Sequence, residues 1–379
     1  MFRIQTRELW LMVALFVAAF FLKIDFVSAQ VRGSAPASMA DWEQVLEAAK
    51  KEGKVVLFGP AGANARQALA DGFEKKFPGI KVEFTSGSGA KLSARLLAEH
   101  RAGVYAVDVV LTGTTTMLES LLPAKVLEPI PPKLILPEVT DLSKWWQGRL
   151  DYSDDAEKYN LVFTASVKVP ITVNPQMVKV KEFRSYWDLL SPKWTGKMAM
   201  RDPTAAGPGL ATATFWYAHP ALGVKFMREL FLKQKVVLSP DDRQVLEWAA
   251  QGKYAIILAP NELMATELKS KGLLLESVGA EQFKEGSYLT TANGSVAMID
   301  RAPHPNAAKL YLNWLLSRDG QTQWTRLSGY LSRRLDVPRD HVDPIAVPKD
   351  GIEYQPNYKE QYVRQKGEIV PFLRQLLQR

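Results

Sequence analysis

Three stretches of small and hydroxyl-bearing residues each follow directly on an apolar run. They are Gly59-Pro60-Ala61-Gly62-Ala63-Asn64 after 55–58, Thr85-Ser86-Gly87-Ser88-Gly89 after 80–84, and Thr112-Gly113-Thr114-Thr115-Thr116 after 107–111. Residues of this kind supply no strong acid, base or nucleophile. What they supply is bare backbone N–H groups, which at the start of a helix hydrogen-bond a small polar ligand, while the helix dipole favours a negative one. Gly59, Ser86, Gly87, Ser88, Thr112 and Gly113 are therefore candidate ligand-binding residues. Glycine, serine and threonine are also ordinary turn and cap formers; the threefold recurrence is what favours a site.

Catalytic patterns are missing by comparison. There is no cysteine in the 379 residues, so neither a thiol nucleophile, a thiolate metal site nor a disulfide is available. No Gly-x-Ser-x-Gly elbow, phosphate loop or dinucleotide fingerprint is present. His100, His219, His304 and His341 are too scattered to give a paired metal-ligand spacing. No cofactor is expected.

The elements that must carry the loops follow from periodicity. Each apolar run is short, rich in β-branched residues and stopped by glycine or serine, as buried strands are. Between the first and second, Ala68, Leu69, Phe73 and Phe77 recur at helical spacing until Pro78-Gly79. Leu92, Leu96 and Leu97 mark the next helix, and Met117-Leu118 begins another. Strand, loop, helix repeated three times is the pattern of a parallel sheet whose ligand crevice lies outside the strand carboxyl ends.

The chain before this unit reads as an export signal. Arg3 and Arg7 precede an apolar run at 9–22, and Val27-Ser28-Ala29 offers small residues for cleavage before Gln30. The run is short for a membrane span, so residues 1–29 are expected to be a cleaved signal peptide and the mature protein to lie outside the cytoplasmic membrane. Removing them takes three basic and two acidic side chains and lowers the formal net charge from +8 to +7. That positive balance suits anions but is scattered, without the basic runs and aromatic interleaving of a nucleic-acid binder. A Gly/Ala/Ser/Pro linker at 31–38 leads to a helix beginning near Asp41.

These residues resemble the periplasmic solute-binding proteins of ABC importers, in the ferric-ion-binding branch. The resemblance runs over about 41–338 and includes Trp42-Glu43, the segment YWDLLSPKWTGK at 186–197, Gly252-Lys253-Tyr254-Ala255 and Pro305-Asn306-Ala307-Ala308-Lys309. It implies an α/β, two-lobed type II fold, each lobe a mostly parallel sheet flanked by helices and joined by crossing hinge strands. The implied lobes are 30–166 with 287–338, and 167–286, with 339–379 a tail of undetermined packing. The strand-like stretch 163–173 would be the first crossing, with Pro170 at a bend or edge, and 294–299 the return strand. Residues 329–334 would lie near the crevice rim.

In this family a Pro-Thr-Ser-Gly-like turn in the second lobe holds an anion; here Pro203-Thr204-Ala205-Ala206-Gly207 stands there, which nominates Thr204, Ala205 and Gly207. The loop before 263–269 nominates Asn261 and Glu262. Ferric-binding relatives carry adjacent tyrosines where this chain has Glu262 and Leu263, and a His and a Glu near the positions of Gly62 and Gly113. All four ligands are missing, so no metal site is expected. The implied function is a monomeric receptor that takes a small, anionic solute between its lobes and presents it to an ABC permease. An enzyme on the same fold, or a receptor feeding a sensor, is the alternative. Trp145, Trp146, Tyr152 and Tyr159 are aromatic candidates for either the core or the ligand.

Overall fold

A computed structural model of the protein describes residues 39–378; the expected signal segment 1–29 and the linker 31–38 lie outside them. Two mixed sheets, each covered by helices and each with its own core, make a two-lobed α/β fold. In the seven-stranded sheet, β1 (Lys54–Gly59) pairs in parallel with both β2 (Lys81–Ser86) and β3 (Val109–Thr112). Its antiparallel half comes from β14 (Ser295–Ile299), which pairs with β3, with β4 (Leu127–Glu128) and with β6 (Leu161–Val162), and β5 (Asp151–Tyr152) closes the edge. Side-chain alternation splits the packing. Val55, Leu57, Val109 and Leu111 face α1 (Met39–Glu52) and α7 (Pro305–Leu316), whereas Phe58 and Val110 pack with Leu92, Leu96 and Met117.

The five-stranded sheet repeats the plan. Its parallel part is β9 (Met198–Arg201), flanked by β10 (Val237–Ser239) and β11 (Ile256–Leu258); β8 (Ile171–Val173) runs antiparallel to β11, and β12 (Glu276–Val278) closes the edge antiparallel to β8. Met198, Met200, Ile256 and Leu258 face one core, Ala199 and Ile257 the other. The helices on this side are α3 (Pro208–Ala218), α4 (Gly223–Lys233), α5 (Asp242–Ala250) and α6 (Glu262–Ser270). The segment α2 (Gly89–Arg101) belongs to the first sheet.

The stretch 163–173 is two strands instead of one. β7 (Ser166–Val167) pairs with β13 (Tyr288–Thr290) in the crossing between the sheets, and β8 lies in the five-stranded sheet. Pro170 separates them because it lacks an N–H, while its carbonyl accepts from the Ala259 N–H at 3.2 Å. Ser317 caps α8 (Arg318–Ser328), and Gly320 sits in its first turn because an added Cβ would lie 2.1 Å from the Trp314 carbonyl oxygen.

The C-terminal segment is part of the fold. β15 (Gln355–Pro356) adds a parallel strand to β13, making a three-stranded crossing. The chain then enters α9 (Glu360–Leu376), which buries Ile369, Leu373 and Leu376 in the core of the five-stranded sheet. Its start is tied to the other sheet: Lys359 Nζ donates to Asp151 Oδ1 at 2.6 Å, the Tyr358 hydroxyl donates to Asp151 Oδ2, and the Glu360 N–H donates to the Ser153 carbonyl. Arg333, following α8, completes the buried cluster with its guanidinium 3.0 Å from Asp151.

Burial would raise the Asp151 carboxyl, but the Arg333 charge and the bonds from Lys359 and Tyr358 outweigh it and hold it below the ordinary carboxylate range. Stability from a depressed carboxyl is complete above its unfolded value, about 3.9, and is lost as pH falls through its folded value. Asp151→Asn leaves Arg333 and Lys359 without their anion, and should cost about 3–5 kcal/mol at pH 7 in denaturant unfolding. The gap to the native protein should narrow below about pH 4; a constant gap across that range would contradict the ionised pairing.

Candidate functional site

Both sheets aim their parallel carboxyl ends at one cavity of about 490 Å³. Ladder register explains the aim. Gly59 pairs with Ser86 at the ends of β1 and β2, and β3 stops alongside them at Thr112, so the loops after β2 and β3 leave from one edge. From the first sheet the lining comprises Ser88, Gly89 and Ala90 at the start of α2, and Gly113 with Thr114–Thr116 where the next helical run begins. Ser88 caps α2 by accepting from the Lys91 N–H. The amides of Gly89 and Ala90, in the first turn, have no partner within the helix.

From the second sheet the wall is the start of α3: Ala206, Gly207, Leu210 and Ala211. Gly207 has φ 145°, and an added Cβ would lie 3.1 Å from the Arg201 guanidinium. Arg201 braces this turn by donating to the Ala206 carbonyl and pairing with Asp242 at 2.6 Å. The crossing supplies Tyr288, Leu289, Thr290, Thr291 and Ala292. Ala292 has φ 47°, and its carbonyl would be 3.2 Å from a Cβ on Gly113, which keeps that position small.

The tail supplies Asn357, Tyr358 and Lys366. Lys366 Nζ donates to the Thr115 hydroxyl at 2.5 Å, and it is the one cation among the described lining residues, as Glu119 is the one carboxylate. Burial lowers the Lys366 ammonium and the Glu119 charge opposes that; burial raises the Glu119 carboxyl and Lys366 opposes that in turn. Tyr288 shares a hydrogen bond of 2.9 Å with Thr212, and Tyr358 is engaged with Asp151 and Arg333. Burial pushes both phenols up, so neither is offered as a phenolate.

Of the residues nominated from sequence, Ser88, Gly113 and Gly207 line this cavity together. Gly59, Ser86, Gly87 and Thr112 lie just behind it: β2 extends through Ser86, the Gly87 N–H donates to the Gly59 carbonyl, and the Gly87 Cα faces Leu92. Thr204 turns its hydroxyl to Asp202 and Ala205 is exposed; neither is in the lining. Asn261 caps α6 through the Met264 N–H, and Glu262 pairs with buried Lys168 at 2.7 Å while accepting from the Val169 N–H. Trp145 is a core residue whose indole N–H donates to the Val139 carbonyl, and Arg333 and Arg334 are buried in ion pairs and are not in the lining. Lys366, Asn357 and 288–292 escaped sequence reading. No motif surrounds a lone lysine in a helix, and the sequence leaves the packing of the tail undetermined.

The profile of bacterial extracellular solute-binding proteins matches residues 55–330. The chain belongs to that family. Among solved structures, this solute-binding protein resembles iron-bound HitA from Pseudomonas aeruginosa (19% identity, TM-score 0.65, covering 85% of this chain and 99% of HitA). It resembles Trichodesmium FutA with iron and citrate at 18% identity and TM-score 0.66, covering 86% of this chain and 99% of FutA. AfuA from Actinobacillus pleuropneumoniae, with fructose-6-phosphate bound, matches at 16% identity and TM-score 0.64, covering 86% of this chain and 99% of AfuA. Its fold is thus that of the ferric-binding-like branch of periplasmic solute-binding proteins.

No group of three or more His, Asp or Glu side chains able to hold a metal ion occurs among the described residues of this solute-binding protein. Titration with ferric citrate should give no visible tyrosinate-to-iron band at neutral pH, because Tyr288 and Tyr358 are protonated and already bonded; a clear band would contradict this reading of the cavity.

Proposed function

We propose that the protein is a periplasmic receptor which captures a small organic anion in this cavity and delivers it to an ABC permease. The observation that carries the reading is the convergence of the starts of α2, α3 and the run at Thr114 with the Lys366 ammonium on one space. Its volume lies within the range of about 300–1,000 Å³ typical of small-molecule sites, far more than a bare inorganic ion needs. Leu210, Leu289 and Tyr288 give the space an apolar side as well, which suits an organic body attached to the charge. The fructose-6-phosphate held by AfuA is an anion of this type on the same fold.

In this reading Ser88, Gly113 and Gly207 contact the solute, and Gly59, Ser86, Gly87 and Thr112 hold the first-sheet loops behind them. The lobes are 30–166 with 287–338, and 167–286; the chain is exported by a cleaved signal at 1–29 and acts as a monomer without nucleic acid. Strands β7, β13 and β15 form the hinge, and a solute that touches both lobes favours the closed state by its differential affinity.

The test is a thermal-shift and calorimetry panel on the mature chain with fructose 6-phosphate, citrate, inorganic phosphate, fructose, putrescine and alanine. An organic anion at a hundredfold its dissociation constant should add about 2.7 kcal/mol of stability. Binding confined to the neutral or cationic solutes would overturn the reading.

A further inference from the structure

The C-terminal helix is anchored on both sides of the cavity. Its start is fixed to the seven-stranded sheet through Asp151 and Ser153, and its end packs on α3 and α4, where the Phe372 ring lies tilted 6.0 Å from Tyr217 and under Arg228 at 5.6 Å. Between those anchors, Lys366 reaches back to Thr115, at the helix start following β3. The helix is weakest at this point. Pro371 has no N–H to give the carbonyl of Gly367, so one rung is missing beside Lys366, and an exposed glycine supplies the conformational freedom there.

Lys366 has more donors than it uses. An ammonium has three N–H groups, and the bond to Thr115 takes one. Among the described lining residues the single carboxylate is Glu119, which is exposed and whose charge only partly offsets the effect of burial on Lys366. A half-buried cation left in this state gains most from an anion entering the cavity, because the solute restores the electrostatic partner that burial removed.

Resting on the receptor reading above, we propose that Lys366 is the charge-selecting residue of the site, and that the C-terminal helix is its third wall, carried between the two lobes. A solute bearing a carboxylate or phosphate bridges Lys366 and the amides at Gly89–Ala90 or Thr114–Thr115. Neutral solutes of the same shape lack that bridge. The helix must bend or shift when the lobes close, and the missing rung at Gly367 lets it do so without breaking its anchors.

The test compares the full mature chain with Lys366→Met and Lys366→Arg, using calorimetry with fructose 6-phosphate, citrate and fructose, and unliganded melting temperature as the fold control. Lys366→Met should bind the two anions roughly ten- to a hundredfold more weakly and leave any affinity for fructose unchanged. Lys366→Arg should recover most of the loss, and both variants should melt within a few degrees of the native chain. Equal anion affinity in the native chain and Lys366→Met would overturn this proposal alone. A native chain that binds neither anion would overturn the anionic receptor reading and this proposal with it. A loss in Lys366→Met that Lys366→Arg does not restore, or that extends equally to fructose, would mark a packing role and also overturn it.

Discussion

A parallel strand can only be followed by another after a return through a helix, and that helix begins where the strand ended. This constraint decides where the polar groups of the molecule lie. β1 and β3 are paired on both sides and largely buried, while β2 is the half-exposed edge strand; α2 and the run at Thr114 start at the carboxyl ends of β2 and β3 and bring their unpaired N–H groups there. The second sheet meets the same requirement with β9 and α3. Two sheets facing each other with these ends inward create a cavity edged by positive dipole ends before any charged side chain is counted.

The antiparallel strands have a different task. β14 and β8 each place a strand of opposite direction beside the parallel set, and β7 and β13 carry the chain between the sheets. The tail joins this crossing with β15 and is fixed by the buried Asp151, Arg333, Tyr358 and Lys359 cluster. Breaking such a cluster is costly because each partner is then left charged and desolvated. Its position beneath the cavity makes the tail a wall and gives Lys366 a defined reach.

Most of the fold is legible in the sequence because its signals are local. The stops at Gly59, Gly87 and Gly113 and the spacing of Ala68, Leu69 and Phe73 correspond to strand ends and a buried helical face. The resemblance through 186–197 adds the two-lobed arrangement, which periodicity alone does not supply. The errors are also local in origin. Ser86 reads as a loop residue but remains in the β1–β2 ladder, and the Gly87 N–H still donates to the Gly59 carbonyl, which moves the cavity on to Ser88–Ala90. Glu262 reads as a free carboxylate because its partner, Lys168, is 94 residues earlier in the chain. Lys366 was invisible for the same reason: its meaning depends on Thr115, 251 residues away.

The most direct measurement is a crystal structure of the mature chain with a bound organic anion identified by calorimetry. The account predicts the anionic group within hydrogen-bond distance of the amides at the starts of α2 or the Thr114 run and of Lys366 Nζ, with the organic body against Leu210 and Tyr288. A solute found outside this cavity, or a metal ion bound through tyrosine oxygens within it, would contradict the account.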